Sequence, residues 1–398
     1  MSCLTWRVLL GDVRERLADL PDASAQCVVT SPPYWGLRDY KLTPTVWGGK
    51  AGCVHRFEDE IVRTEVGRGN WAQGVNGRGE EQPGGVDAKR EPIRSTQTRG
   101  VCQSCGAWRG CLGLEPTPTL YVEHLLSIFR EIRRVLRDDG TLWLNLGDCY
   151  QSGSRGGDDR SRAGVSQNRG QNASDFAHAP NRMPQEGLKD KNLVGIPWRV
   201  AFALQADGWY LRSDIIWAKG YSFHPTTAGS CMPESVTDRP TLSHEYLFLL
   251  TKSARYYYDA ESVKERSTGQ SGLAVDFKRT TKDHVIPNQL VAQHRDEREA
   301  ATDNGTRNLR DVWLINPKPY REAHFATFPP ALVAPCVKAG SRPGDTVLDP
   351  FCGSGTTGVV ALRLGRSFVG IELNQTYREL ARTRIGAAMP LLARERTA

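Results

Sequence analysis

The stretch "VVTSPPYWGL" sets a hydroxyl at Ser31, two consecutive prolines at Pro32 and Pro33, and rings at Tyr34 and Trp35 directly after a β-branched run. Prolines donate no ladder hydrogen bond and fix φ, so the run must stop at Ser31 and pass into a stiff, extended turn. Such a turn holds a hydroxyl and an exposed ring in set positions at a strand end. The alternative is a strand end whose Tyr34 and Trp35 only cap the core. A second candidate is "DPFCGSGTT", in which Gly353 and Gly355 sit where the backbone must turn sharply and approach a ligand. Thr356 and Thr357 suit the cap of the following helix. Glu372 ends the next apolar run, the place for an acidic side chain that accepts from ribose hydroxyls. A nucleotide-like cofactor is indicated, although a purely structural turn explains the glycines alone. The G-x-G-x-x-G spacing and the lysine of a phosphate loop are both missing. Cys352, inside this turn, reads as packing rather than as a nucleophile.

A third constellation pairs Cys53 and His55 with Cys102 and Cys105 of "CQSC". Four soft ligands in two close pairs suit tetrahedral zinc, and a polar segment with little core would gain stability from such a clip. Cys111 is a substitute ligand, and four unremarkable loop residues are the alternative.

The elements that must position these groups follow from the apolar pattern. "RVLLGD" and "QCVVTSPPY" read as strands around a short helix near Val13 to Leu20. "YVEHLLSIFREIRRVLRDDG" puts Tyr121, Leu125, Ile128, Phe129, Ile132 and Leu136 on one helical face and predicts a helix ending at Gly140. "TLWLNLGD" follows as a buried strand, "NLVGIPWRVAFALQADG" as a helix, and "WYLRSDIIWAK" and "EYLFLLTKS" as strands. The last segment reads as strand, Gly-rich turn, helix, then the strand "SFVGIEL" and the helix "NQTYRELARTRIGAA". This alternation predicts an α/β, doubly wound, mostly parallel sheet with ligands at the carboxyl ends of its strands, where both "SPPY" and "FCGSG" fall. Two Gly-rich polar stretches interrupt it, one from 41 to 115 and a shorter one from 151 to 191.

Composition limits the setting. The 398 residues are 39% hydrophobic, enough for a substantial core, and carry a formal net charge of +7 with arginines clustered in the Gly-rich stretches. That balance suits a phosphate backbone, with Arg155, Arg160 and Arg162 expected near phosphates, although scattered solvated charge has the same composition. No apolar run reaches membrane-spanning length and the start shows no secretory pattern, so a cytoplasmic protein with no membrane partner is expected. Ten cysteines in a chain of this length suit reduced thiols better than a disulfide framework.

"SPPYW" together with "DPFCGSGTT" resembles the amino-directed DNA methyltransferases that use S-adenosylmethionine. The order, catalytic motif first and cofactor motif last, resembles their beta class. "GD" at Gly11 and Asp12, "TLWLNLGD", "WYLRSDIIWAK", "HEYLFLLTKS", "RDVW" and "HFATFPPAL" extend the likeness over about three quarters of the chain. The resemblance implies a Rossmann-like, circularly permuted, seven-stranded methyltransferase sheet carried by residues 1–40, 116–259 and 321–398. It leaves 41–115 as an insertion and 260–320 as the target-recognition region.

The resemblance further implies roles. Ser31 Oγ and the Pro32 carbonyl accept from an exocyclic amine, Pro33 stiffens the turn, and Tyr34 offers a face to a base flipped out of the duplex. Asp349, Phe351, Gly353 and Gly355 belong to the methionine side of the cofactor, with Thr356 in the same turn. Glu372 belongs to the ribose and Asp12 to the adenine amine. Phe325 and Phe328 wall the pocket; His324 matches less well, and an ordinary helix-start histidine is the alternative. Serine before the two prolines favours cytosine N4 over adenine N6, because aspartate usually accompanies adenine in the resembling enzymes. An RNA or protein-amide methyltransferase and an inactive DNA-binding homologue are the further alternatives. Double-stranded DNA is the expected partner, and a second copy of the chain and a cognate restriction endonuclease complete the expectation.

Overall fold

The structure, a computed structural model, describes residues 4–40, 42–57, 61–62, 95–96, 100–151, 187–223, 229, 231, 234, 236–267, 305–317, 328–388 and 393–395. Nine strands form its main sheet: β1 (Leu4–Leu10), β2 (Ala25–Thr30), β3 (Leu136–Leu146), β4 (Tyr210–Ala218), β5 (His244–Thr251), β6 (Val312–Leu314), β7 (Thr346–Asp349), β8 (Ser367–Glu372) and β9 (Ala393–Glu395). Their order is β6-β4-β5-β3-β2-β7-β8-β1-β9. Only β5 runs antiparallel to its neighbours; every other pairing is parallel. Seven of the nine are the expected strands, and the short edges β6 and β9 extend them.

A parallel centre must be covered on both faces, and β2, buried at every position, shows it. Val28 joins the core under α1 (Val13–Ala18), α2 (Pro118–Val135) and α3 (Ile196–Ala206). Cys27 and Val29 point the other way, into the core under α4 (Pro330–Gly340), α5 (Thr356–Arg363) and α6 (Gln375–Ala388).

One boundary differs from the sequence pattern. Helix α2 stops at Val135, five residues before Gly140, because Leu136 takes extended backbone (φ −72°, ψ 137°) and pairs with Ala25 as the start of β3. The helical face of Tyr121, Leu125, Ile128, Phe129 and Ile132 is fully buried as expected. Gly140 therefore lies inside a strand, where a Cβ would meet Leu136 Cδ1 at 2.6 Å.

Within the first insertion, residues 45–47 pair antiparallel with 108–110. Most of the 260–320 region, and Arg155, Arg160 and Arg162 of the second insertion, lie outside the described residues. None of the described helices is long and apolar enough to cross a membrane.

Candidate active site

Strand direction gathers the candidate residues on one edge. The carboxyl ends of β1, β8, β7, β2 and β3 are adjacent in that order and parallel. They carry Asp12 just past β1, Glu372 and Asp349 at the ends of β8 and β7, Ser31 just past β2 and Asn145 near the end of β3. Because β4 is parallel to this set and β5 opposes it, Lys219 after β4 and Glu245 at the start of β5 reach the same edge.

The S-P-P-Y turn is fixed by hydrogen bonds at each residue beyond its prolines. Ser31 Oγ donates to Tyr34 Oη at 3.1 Å. Tyr34 Oη shares its one proton between Glu245 Oε2 at 2.7 Å and Asn145 Oδ1 at 2.9 Å. Asn145 Nδ2 in turn donates to Glu245 Oε2 at 3.2 Å and to the Tyr246 carbonyl at 3.0 Å. Lys219 Nζ is paired with Glu245 Oε1 and lies 4.9 Å from the Trp217 ring. Burial, and then the Glu245 charge, push the Tyr34 phenol well above its ordinary range, so it remains a donor.

The ring of Tyr34 is half-buried rather than fully exposed, packed so closely on Gly147 that a Cβ there would sit 2.7 Å from Cε2. Trp35 is buried outright, its Nε1 donating to the Glu115 carbonyl at 2.9 Å. Trp35 thus fits the core-capping reading fully, and Tyr34, packed against the same core but hydrogen-bonded through its hydroxyl, fits it in part. Pro32 is buried, and the Pro33 carbonyl accepts from Tyr121 Oη at 2.9 Å. Three members of the polar chain lie in stretches recognised in the sequence, Asn145 in "TLWLNLGD", Lys219 in "WYLRSDIIWAK" and Glu245 in "HEYLFLLTKS". Their chemistry was invisible there because only strand pairing brings them together.

The Gly-rich turn departs from expectation in detail. Thr356 and Thr357 begin α5 without capping it; Gly355, at φ +80°, is the cap residue. Thr357 Oγ1 instead donates to Asp349 Oδ2 at 2.7 Å. Gly355 is required by packing, since a Cβ would lie 3.0 Å from Ala381 Cα and Cβ on α6. Gly353, at φ +51°, has open space where a Cβ would stand, its nearest neighbour being Phe351 O at 4.0 Å. The turn is thus sterically open at Gly353 and closed by α6 at Gly355, where a larger side chain would disturb packing.

Three further carboxylates lie on this edge. Asp349, at 1% exposure, accepts from Thr30 Oγ1 at 2.7 Å, Thr357 Oγ1 and the Phe351 amide at 3.1 Å. Burial pushes its pKa up to about 6. Glu372 accepts from the Gly353 and Asn374 amides, both at 2.8 Å, and burial pushes it up to about 7. Asp12 caps α1 and is gripped by Arg14, whose Nε and Nη2 reach it at 2.9 and 2.6 Å. Despite burial, which opposes it, these bonds hold Asp12 below its ordinary value.

Phe328 stands beside Val29, Thr30, Asn145 and Leu332, next to the S-P-P-Y turn; Phe325 and His324 lie outside the described residues. Cys352 is buried, with its thiol raised far above its usual range by burial, as packing requires and nucleophilic attack does not.

In the first insertion, Cys53, His55, Cys102 and Cys105 converge: their ligand atoms all lie within 4.8 Å of one another. Cys111 is not among them; its thiol donates to the Leu42 carbonyl at 3.4 Å.

A doubly wound sheet with an S-P-P-Y turn and a Gly-rich turn on one edge is the arrangement that the resemblance to amino-directed methyltransferases leads one to expect. The family model for DNA methylases matches residues 25–383. Type II methyltransferase M.SmaI of Serratia marcescens is 40% identical over 379 residues, covering 95% of this chain and 90% of that protein. Type II methyltransferase M.Cfr9I of Citrobacter freundii is 40% identical over 375 residues, covering 94% and 86%. Among solved structures, the cytosine-N4-specific PvuII DNA methyltransferase aligns at 16% identity with a TM-score of 0.48, covering 96% of this chain and 88% of that one. The chain belongs to the DNA methylase family.

Proposed function

We propose that this DNA methylase transfers a methyl group from S-adenosylmethionine to the exocyclic N4 amine of a cytosine flipped out of double-stranded DNA. The hydroxyl chain from Ser31 through Tyr34 to Glu245 carries the reading. An exocyclic amine is a poor nucleophile because its lone pair is delocalised into the ring, so it needs an acceptor that orients it. With its own proton committed to Tyr34 Oη, Ser31 Oγ keeps its lone pairs for that amine. Tyr34 can play this part because its proton is committed in turn to Glu245 and Asn145.

The cofactor turn fits S-adenosylmethionine through the open approach at Gly353 and the Glu372 carboxylate beside it. When bound, that cofactor supplies the electrophilic sulfonium methyl. The residues of this chain then orient the amine at Ser31, receive the base against the ring of Tyr34, and hold the ribose at Glu372. Asp349, Phe351 and Thr356 shape the same turn, Phe328 stands beside Thr30 and Asn145, and Asp12, held by Arg14, receives the adenine amine.

A neutral Ser31 rather than a carboxylate before the prolines supports cytosine as the target. The Type II names of the relatives support a restriction-modification setting with a cognate endonuclease. Digesting DNA from expressing cells to nucleosides and weighing the products tests the reading. Methylcytidine carrying the methyl on N4 is the expected product. Methyladenosine without it overturns the choice of base, and DNA with neither overturns the activity.

A further inference from the structure

We propose that Cys53, His55, Cys102 and Cys105 bind one zinc ion, and that this ion clips the first insertion into a support for the catalytic turn. Cys53 Sγ and Cys102 Sγ are 4.0 Å apart, and Cys105 Sγ is 3.3 Å from His55 Nδ1. Tetrahedral zinc, with Zn–S about 2.3 Å and Zn–N about 2.0 Å, sets ligand-to-ligand edges of roughly 3.5–3.8 Å. A disulfide would need about 2.05 Å between sulfurs, far shorter than the Cys53–Cys102 separation.

Backbone amides face two of the three sulfurs. The Arg56 amide donates to Cys102 Sγ at 3.4 Å, and the Lys50 and Ala107 amides point at Cys105. Gly49, at φ +84°, lets the first knuckle close over the second, since a Cβ there would stand 2.9 Å from Cys105 Sγ. Val54, between Cys53 and His55, is exposed rather than packed, and a metal contributes most to folding where the local core is small.

What the clip supports is visible in the contacts below it. Trp47 and Trp108 are paired across the 45–47 and 108–110 strands, and both stack on His124 of α2, at 4.8 and 5.4 Å between centroids. His124 Nδ1 is 3.0 Å from Glu115 Oε1, and the Glu115 carbonyl accepts from Trp35 of the catalytic turn. The Gly113 carbonyl also accepts from the Gly36 amide at 2.8 Å. On the other side Arg14, which holds Asp12, lies 3.8 Å over the Trp47 ring and donates to the Val46 carbonyl at 2.8 Å. The insertion thus braces both the catalytic turn and the residue expected at the adenine.

Metal analysis of full-length protein, purified without chelator, tests the site independently of methyl transfer. About one zinc per chain is expected; a metal-free, folded protein overturns the proposal. Cys105→Ser should lose the zinc while Cys111→Ser keeps it, and equal zinc in both overturns the ligand set. If Cys105→Ser does not fold, Co(II) exchanged into the wild type decides: sulfur-to-metal charge-transfer bands from a tetrahedral thiolate site are expected, and their absence overturns it. Hydrogen exchange on protein stripped of zinc should quicken at Trp35–Leu37 as well as in the insertion. Quickening confined to the insertion overturns the supporting role.

Discussion

Thr30 Oγ1 donates to Asp349 Oδ1 at 2.7 Å, so the last residue before the S-P-P-Y turn is tied directly to the last residue before the Gly-rich turn. The two motifs stand 319 residues apart in the chain and share one buried carboxyl group. Thr357 closes the latch from the first turn of α5.

Thr357→Val removes one donor from that carboxyl while keeping the shape of the side chain. A buried acceptor left short of a partner costs about 1–3 kcal/mol, so a fall in Tm is expected. The sign of its pH dependence follows from Asp349. Burial raises its pKa from 3.8 to about 6, so its contribution to stability is fully present below pH 4 and is lost as pH rises through 6. Losing a donor to the ionised form raises that pKa further, so the variant should be hurt more at pH 8 than at pH 5. Thermal denaturation at the two pH values checks this; an equal loss at both refutes it.

Gly353 and Gly355 separate by their surroundings. Gly353→Ala meets open space and pays only the cost of a positive φ, so it should fold and bind S-adenosylmethionine more weakly. Gly355→Ala pushes a methyl group to 3.0 Å from Ala381 on α6 and should lower Tm by more than Gly353→Ala does. Calorimetric titration beside a melting curve distinguishes them, and the reverse ranking in Tm would disprove the assignment.

The layout of the sheet was legible in the sequence because a parallel sheet buried on both faces writes itself as β-branched runs ending in turn residues, as in "CVVTSPP" and "TVLDPFCGSG". So was the edge on which chemistry must sit, since both motifs end such runs. The end of α2 was not, because Leu136 continues the helical apolar spacing while its backbone is already extended in β3. The division of labour between Gly353 and Gly355 was hidden for a similar reason. It depends on where α6 passes, and α6 is encoded downstream of both. Arg14 as the partner of Asp12 was local enough to be read, two residues away, but a cap and its neighbouring arginine look like ordinary surface charge until Trp47 is seen beneath them.

Glu372 gives cofactor binding a pH dependence. Its carboxyl is raised from 4.5 to about 7 by burial, and its ionised form accepts from ribose hydroxyls more strongly than the neutral acid does. Affinity for S-adenosylmethionine should therefore climb between pH 5.5 and 7, by up to about tenfold per unit, and level off above. Glu372→Gln should bind more weakly with no such slope. Calorimetry across pH 5.5 to 8.5 checks both; a wild-type affinity independent of pH argues against Glu372 as the ribose acceptor.

Tyr34 has two separable properties, a ring and a hydroxyl, and the polar chain assigns the rate to the hydroxyl. Tyr34→Phe keeps the ring against Gly147 but frees the Ser31 proton and takes one donor from each of Glu245 and Asn145. Ser31 then no longer presents its lone pairs in a fixed direction, and the orientation of the amine is lost at the reacting atom. Binding of DNA and S-adenosylmethionine should persist, while single-turnover methyl transfer slows at least about tenfold. Glu245→Gln should act in the same direction, since it weakens the acceptor at the end of the chain and removes the charge partner of Lys219. Because both changes break one chain, the double variant should be little slower than the slower single variant. Multiplying effects in the double variant would show that Glu245 and Tyr34 act separately, and an unchanged rate in Tyr34→Phe would return Tyr34 to a stacking surface alone.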